Sequence, residues 1–306
     1  MIDTVVSVKL PIGEMLRIKR NRLMPDVVTG EEKRICLVSG IYGDELGGQY
    51  ICGEIIRRIK AGIVDVYPAV NPLGLDARTR AVPISDIDYS SAFPGDINGG
   101  LEDYTAAKLI EDIKGASCCI DIHSSNIFLQ EVPQVRLNND YDETLLHLSK
   151  YMNTDLVWIH PSQTVNEGSL AFTLNQMGIP TMVTESGAAF RIRYEYCRQI
   201  IDGIFSVMAV LGIWKGKVQG KTKVPFIHED QIFYLNCESS GLFVSYKRLK
   251  DPVKKGEIIG IVQNPLMGAT EEEVVAPTDG ILMTLREHPS VTEGSLVARV
   301  IGGNAL

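Results

Sequence analysis

Between residues 33 and 212, short apolar runs alternate with segments of helical spacing, and that order leaves few folds open. "RICLVSG" at 34–40 reads as a buried strand ending in glycine. "DELGGQYICGEIIRRIK" at 44–60 reads as a helix with the basic last turn that a helix C-terminus favours. "IVDVYPAV" at 63–70 is the next strand, stopped by "NPLG", and "LEDYTAAKLIEDIK" at 101–114 is a helix with acids in its first turn. "ASCCIDI" at 116–122, "DLVWI" at 155–159 and "PTMVTE" at 180–185 read as strands. Helices are expected around 141–151, at "GSLAFTLNQM" (168–177) and from about 193 to 212. Repeated units of this kind build an α/β layer with a mostly parallel sheet and helices on both faces.

After Gly212 the character changes: from about 222 onward the chain is β-rich, with turns at Gly241, Gly256, Gly268, Gly280 and Gly294. "SGLFVSYKRLKDPVKKGEIIGIV" (240–262) resembles "DGILMTLREHPSVTEGSLVARVI" (279–301), and both reach "V-x-x-G" ahead of an apolar strand. Two such halves suggest a small sandwich or barrel with pseudo-two-fold symmetry, similar to biotinyl/lipoyl folds. The hairpin between them, "VQNPLMGATEEEVVAPTD", has no lysine, which argues against a swinging-arm role. The expected division is therefore an α/β domain over 1–220 and a β-rich domain over 221–306.

With 306 residues, 45% of them hydrophobic, the chain can fill more than one core. No run approaches the roughly 18 apolar residues of a membrane span. The opening "MIDTVVSVKLPIGEM" is too polar for a signal peptide, so a soluble cytoplasmic protein is expected. Six cysteines without a CxxC pair read as small core residues in a reducing compartment. A formal charge of −8 argues against a nucleic-acid partner. The one basic cluster, "RIKRNR" at 17–22, reads as a solvated strand and turn.

Ligands of open α/β sheets bind beyond the carboxyl ends of the strands. Three such ends carry chemistry: "SGIYGDE" with Tyr42, Asp44 and Glu45; the strand ending in His123, Ser124 and Ser125; and the strand ending in Glu185, Ser186 and Gly187. A histidine and two glutamates so placed can hold a divalent metal and an activated water. Each residue taken singly also has a plainer reading: Glu45 as an acid at a helix N-terminus, His123 as a satisfied interior histidine, Glu185 as a loop acid. His147, His160, His228 and His288 read as surface or structural.

In order, these blocks resemble the succinylglutamate desuccinylase/aspartoacylase group of zinc-carboxypeptidase-like hydrolases, from "GIYGDE" through the C-terminal β region. That family's first motif, Gly-x-His-Gly-x-Glu, carries two zinc ligands, and its glutamate matches Glu45. "NP" at 71–72, "TR" at 79–80, "DYSS" at 88–91 and "FPG" at 93–95 follow the family's second block. "DIH" at 121–123 places His123 at the remaining zinc-ligand position, and "ESG" at 185–187 places Glu185 at the general-base position. The resemblance implies a zinc-carboxypeptidase-like sheet and amide hydrolysis, with Arg80 polarising the carbonyl.

Two departures alter that expectation. Tyr42 stands where the first zinc ligand belongs, and Ser90 and Ser91 stand where the family has the Asn-Arg pair that grips a substrate carboxylate. A phenol ligates metal only after losing a proton against a pKa near 10, and losing a bidentate arginine is not a conservative change. Arg136, in "VPQVRL", is a candidate replacement cation. The expected protein is a metal-dependent hydrolase of an amide or ester bond in a small N-acyl compound. Glu45, His123 and Tyr42 are placed at a weak or incomplete zinc site, Glu185 and Arg80 at the chemistry, and Arg80, Ser90, Ser91 and Arg136 at the substrate. The alternative is a pseudoenzyme that binds a small anionic ligand. The partner is a small molecule, with no nucleic acid and no membrane, and a homo-oligomer is allowed.

Overall fold

The structure, a computed structural model, describes residues 1–59, 62–161, 167–218 and 224–303. β1 (Ile2–Lys9) and β2 (Met15–Leu23) form an antiparallel hairpin. The alternating part runs β3 (Arg34–Ser39), α1 (Leu46–Arg58), β4 (Ile63–Tyr67), α2 (Pro72–Ala77), α3 (Leu101–Ile113), β5 (Cys118–His123), β6 (Leu129–Asn138), α4 (Glu143–Ser149), β7 (Leu156–His160), α5 (Leu170–Gln176), β8 (Thr181–Gly187) and α6 (Tyr194–Val210). The remaining strands are β9 (Phe226–His228), β10 (Ile232–Asn236), β11 (Gly241–Ser245), β12 (Pro252–Val253), β13 (Ile258–Gln263), β14 (Thr270–Val275), β15 (Gly280–Arg286), β16 (Ser290–Val291) and β17 (Leu296–Gly302).

Among the described residues, thirteen strands share one sheet, whose main path is β1-β2-β4-β3-β5-β8-β6-β15-β17-β10. The expected mostly parallel sheet is parallel only at its centre, β4-β3-β5-β8, and in the β6-β7-β9 branch. Antiparallel β2 and β6 close the centre on either side. Alternation along the central strands builds two apolar layers. Ile35, Leu37, Ile120 and Ile122 face α1, α4 and α6. Cys36, Val38 and Cys119 face α3 and α5. All six cysteines are free and buried. No described helix is long and apolar enough to cross a membrane.

The internal repeat reappears as reciprocal pairing. Val253 on β12 pairs with Gly280, and its counterpart Val291 on β16 pairs with Gly241. A second sheet, β14-β13-β11-β16, packs over Phe243, Ile259, Val262 and Val297. β15, β17 and β10 belong to the large sheet, joined through β6. The boundary expected at 220/221 lies outside the described residues.

The basic cluster at 17–22 forms a strand as expected, but Arg20 and Arg22 do not simply face solvent. Arg22 donates to both carboxylate oxygens of Asp65 at 2.7 Å, and Arg34 donates to Asp65 Oδ2 at 2.7 Å. Arg20 bridges Asp112 and Asp3, each at 2.7 Å, and the Tyr67 hydroxyl donates to Asp112 at 2.6 Å. Asp65 is wholly buried, and its charge is tolerable there because Arg22 and Arg34 bond it directly. Arg34 also donates to the carbonyls of Asp112, Ile113 and Lys114, which satisfies the C-terminal end of α3.

Candidate functional site

The parallel register brings the carboxyl ends of β3, β5 and β8 side by side, with His123 directly opposite Glu185. They open into a cavity of about 700 Å³ lined by Tyr42, Glu45, Arg80, Ser90, Asp121, His123, Glu131, Arg136, Glu185 and Arg299, among others. Glu45 sits at the N-cap of α1, yet its side chain makes no capping bond. Instead its Oε2 lies 3.0 Å from His123 Nδ1 and accepts the Ser124 backbone N–H at 3.0 Å. The other ring nitrogen, Nε2, lies 3.0 Å from Asp121 Oδ1. Asp121 and His123 are two residues apart on one strand, so alternation puts both on the same face. That spacing was the signal for Asp121, to which the sequence assigns no role of its own.

Burial dominates the electrostatics. It raises Glu45 well above the usual carboxylate range, with His123 pulling the other way. For His123 burial favours the neutral ring, but Asp121 and Glu45 outweigh it and raise the imidazole above its ordinary value. Burial likewise raises Glu185, opposed by Arg136, whose Nη1 is 3.2 Å from Glu185 Oε2. The Glu185 Oε1 atom has no hydrogen-bond partner among the described residues. A carboxylate held this way sits closer to neutral pH than an exposed one, as a general base requires.

Arg136 lines the cavity but is not an idle clamp, because Nη2 also donates to Glu131 Oε2 at 2.6 Å. Glu131 accepts from Arg299 Nη1 at 2.5 Å and from Gln134 Nε2 at 3.0 Å. Glu131 and Arg299 were not legible as site residues: they meet across 168 positions, through antiparallel strands that carry no local motif. Ser90 is part of the cavity wall. Ser91, expected beside it, turns its hydroxyl back to the Asp88 carbonyl at 3.1 Å and is not a lining residue. A 3₁₀ turn over Tyr89–Ser91 puts neighbouring side chains on different sides, which separates the two serines.

His160 is part-buried and stacked on Trp158 with ring centroids 4.0 Å apart. Burial pushes it down to about 3, with Arg136 and Arg299 adding to the shift.

Tyr42 lines the same cavity, beside the Glu45–His123 pair. It shares a hydrogen bond with Ser90, and its ring lies under Arg80, whose Cζ is 3.3 Å from the ring centroid. The ring is 5.3 Å from that of His123, inclined at 58°. Arg80 also lies 3.3 Å from Asp88 and 3.9 Å from Glu45. A catalytic zinc takes three protein ligands and leaves one position open. Here Glu45 and His123 Nδ1 converge as two donors, and among the described residues no group of three or more His, Cys, Asp and Glu side chains is placed to hold a metal. The donor set does not fit a three-ligand zinc centre.

Residues 31–211 match the model of the succinylglutamate desuccinylase/aspartoacylase catalytic domain. The chain is 24% identical over 284 residues to N-alpha-acetyl-L-2,4-diaminobutyric acid deacetylase of Halomonas elongata, covering 89% of this chain and 83% of that protein. The product-bound ectoine utilization protein EutE (DoeB) of Ruegeria pomeroyi superposes with a TM-score of 0.84 at 20% identity, over 97% of this chain and 93% of its own. A succinylglutamate desuccinylase/aspartoacylase of Rhodobacter sphaeroides gives 0.80 at 22% identity, over 94% and 89%.

Proposed function

The chain belongs to the succinylglutamate desuccinylase/aspartoacylase family, and from that premise we propose that it is a deacylase that hydrolyses the amide bond of a small N-acyl amino acid or diamine. One observation carries the reading: Glu185, Arg80, Glu45 and His123 line a single cavity of about 700 Å³, of a size for such a compound. The deacetylase of Halomonas elongata supports the same substrate class.

Arg80 donates hydrogen bonds to the amide carbonyl oxygen and steadies the charge that develops there. Glu185 takes a proton from water as the oxygen adds to the carbonyl carbon. The same proton passes to nitrogen as the C–N bond breaks, leaving a carboxylic acid and a free amine. Arg136 holds Glu185 in place and is occupied by it and Glu131, so anion recognition falls to Arg80 and the wall at Ser90. Glu45 and His123, two donors, would hold zinc only weakly. Residues 1–220 then form the catalytic unit, and 221–306 form a small β unit that adds Arg299 to the wall.

A ligand-binding protein without turnover draws on one fact, that Glu45 and His123 are bonded to each other. A panel of N-acetyl and N-succinyl amino acids, followed by amine release, separates the two. The deacylase reading expects turnover that falls by about 10²–10⁴ in Glu185→Gln. Binding without turnover, or equal rates in the variant, would support the alternative.

A further inference from the structure

Resting on the deacylase reading, we infer that Tyr42 is a positioning residue: its ring is the platform that holds the Arg80 guanidinium over the cavity, in the place where a third metal ligand would stand. The contact itself is the first ground. With Cζ 3.3 Å from the ring centroid, the guanidinium lies over the aromatic face, the arrangement in which a cation meets the negative part of the ring. The Arg80 side chain is 42% exposed, and its charged neighbours at 3.3 and 3.9 Å are on two different loops, which alone do not fix its plane.

The second ground is how the backbone brings the two residues together. The Gly43 N–H and Asn71 Nδ2 both donate to the Arg80 carbonyl at 3.2 Å, so the turn carrying Tyr42 is tied to the residue its ring covers. That turn is pressed against α2: a Cβ at Gly43 would come within 2.1 Å of the Gly74 backbone. Tyr42 is therefore held in register with Arg80 by main-chain packing, before any side-chain attraction acts.

The third ground is where the hydroxyl goes. It bonds Ser90, in the 3₁₀ turn of the same α2–α3 connection that carries Arg80, and so braces the outer edge of the ring. The His123 ring packs beside it, its centroid 5.3 Å away and its plane inclined at 58°. A ring covered by a guanidinium and packed beside an imidazole works through its aromatic surface. The prediction is specific: the ring matters more than the oxygen.

The test uses the full chain with Tyr42→Phe and Tyr42→Leu, alone and with Arg80→Met, all checked for a cooperative melting transition. Two quantities are read: acetate affinity by calorimetry, acetate being a simple carboxylate probe, and kcat and KM for N-acetyl-L-2,4-diaminobutyrate. Tyr42→Leu should weaken acetate binding and lower kcat by about tenfold or more, with KM changing less. Tyr42→Phe keeps the ring and should stay within about threefold of the natural chain. In the Arg80→Met background the leucine effect should vanish, since there is no guanidinium left to hold. Equal acetate binding by the natural chain and Tyr42→Leu, or a phenylalanine variant as impaired as the leucine one, overturns the platform. An undiminished leucine effect without Arg80 overturns it too. Absence of turnover with every N-acyl compound would defeat the deacylase reading, while the acetate titrations would still decide the role of Tyr42.

Discussion

The sheet carries two buried clusters of carboxylates and cations, one around Asp65 and one around Glu45, His123 and Glu185, and they are built on opposite terms. At Asp65, hydrogen bonds from Arg22 and Arg34 overcome burial and hold the carboxyl below its ordinary value. At the cavity, burial wins, and both Glu45 and Glu185 are raised. Both Asp65 oxygens accept arginine bonds at 2.7 Å, whereas Glu185 Oε1 has no partner among the described residues. A cluster that completes its own pairing serves the fold. One that leaves acceptors open costs stability and keeps them for a substrate.

The sharpest way to break this contrast is to remove one charge from each cluster and measure denaturant stability. Asp65→Asn leaves the part-buried Arg22 and Arg34 without their counter-charge and should cost about 3–5 kcal/mol. Glu185→Gln should leave the midpoint equal or higher while abolishing most turnover. If both variants lose stability alike, the distinction between the clusters is gone.

A smaller effect concerns substrate charge. In the Asn-Arg clamp positions stand Ser90, which lines the cavity, and Ser91, which turns back to the Asp88 carbonyl, and Arg136 is engaged by Glu131 and Glu185. A hydrogen bond to a charged group contributes roughly 1.5–3 kcal/mol, so N-acetylaspartate and N-succinylglutamate should show kcat/KM about tenfold to a hundredfold below N-acetyl compounds lacking the extra carboxylate. Comparable rates for all of them would place another cation in the substrate's reach.

The smallest expected effect is in acid. Asp65 is depressed below 3.8, so its contribution is complete above that pH and is lost as the pH falls through its lower native value. Urea midpoints measured from pH 6 down to pH 2 should therefore fall in the natural chain and fall less in Asp65→Asn. A variant that tracks the natural chain through that window would assign the acid sensitivity elsewhere.

What the sequence made legible follows from how local the signal was. "RICLVSG", "CCIDIH" and "TMVTESG" are apolar runs ending in polar residues, and they lie side by side in the sheet. The full extent of β6 was hidden because "LQEVPQVRLN" buries Glu131 and Gln134 along with its apolar residues. Its Pro133 also interrupts the ladder, where the register shifts between Glu131 and Gln134. The hairpin β1–β2 was partly legible, but nothing near Arg20 or Arg22 in the sequence announces Asp65, Asp112 or Asp3 as partners. Tyr42 was legible as an anomaly and not as a solution, because Arg80 reaches it from a separate loop.

The central claim is that the third ligand position of this site has been given over to Arg80's support, leaving two metal donors. It is tested most directly by titrating zinc calorimetrically into metal-stripped natural chain and Tyr42→His. An imidazole offers a neutral lone pair at pH 7, whereas a phenol must first lose its proton, and burial raises the Tyr42 pKa further above 10. The account predicts a gain in zinc affinity of at least about tenfold in the variant. Equal or weaker zinc binding by Tyr42→His would contradict it.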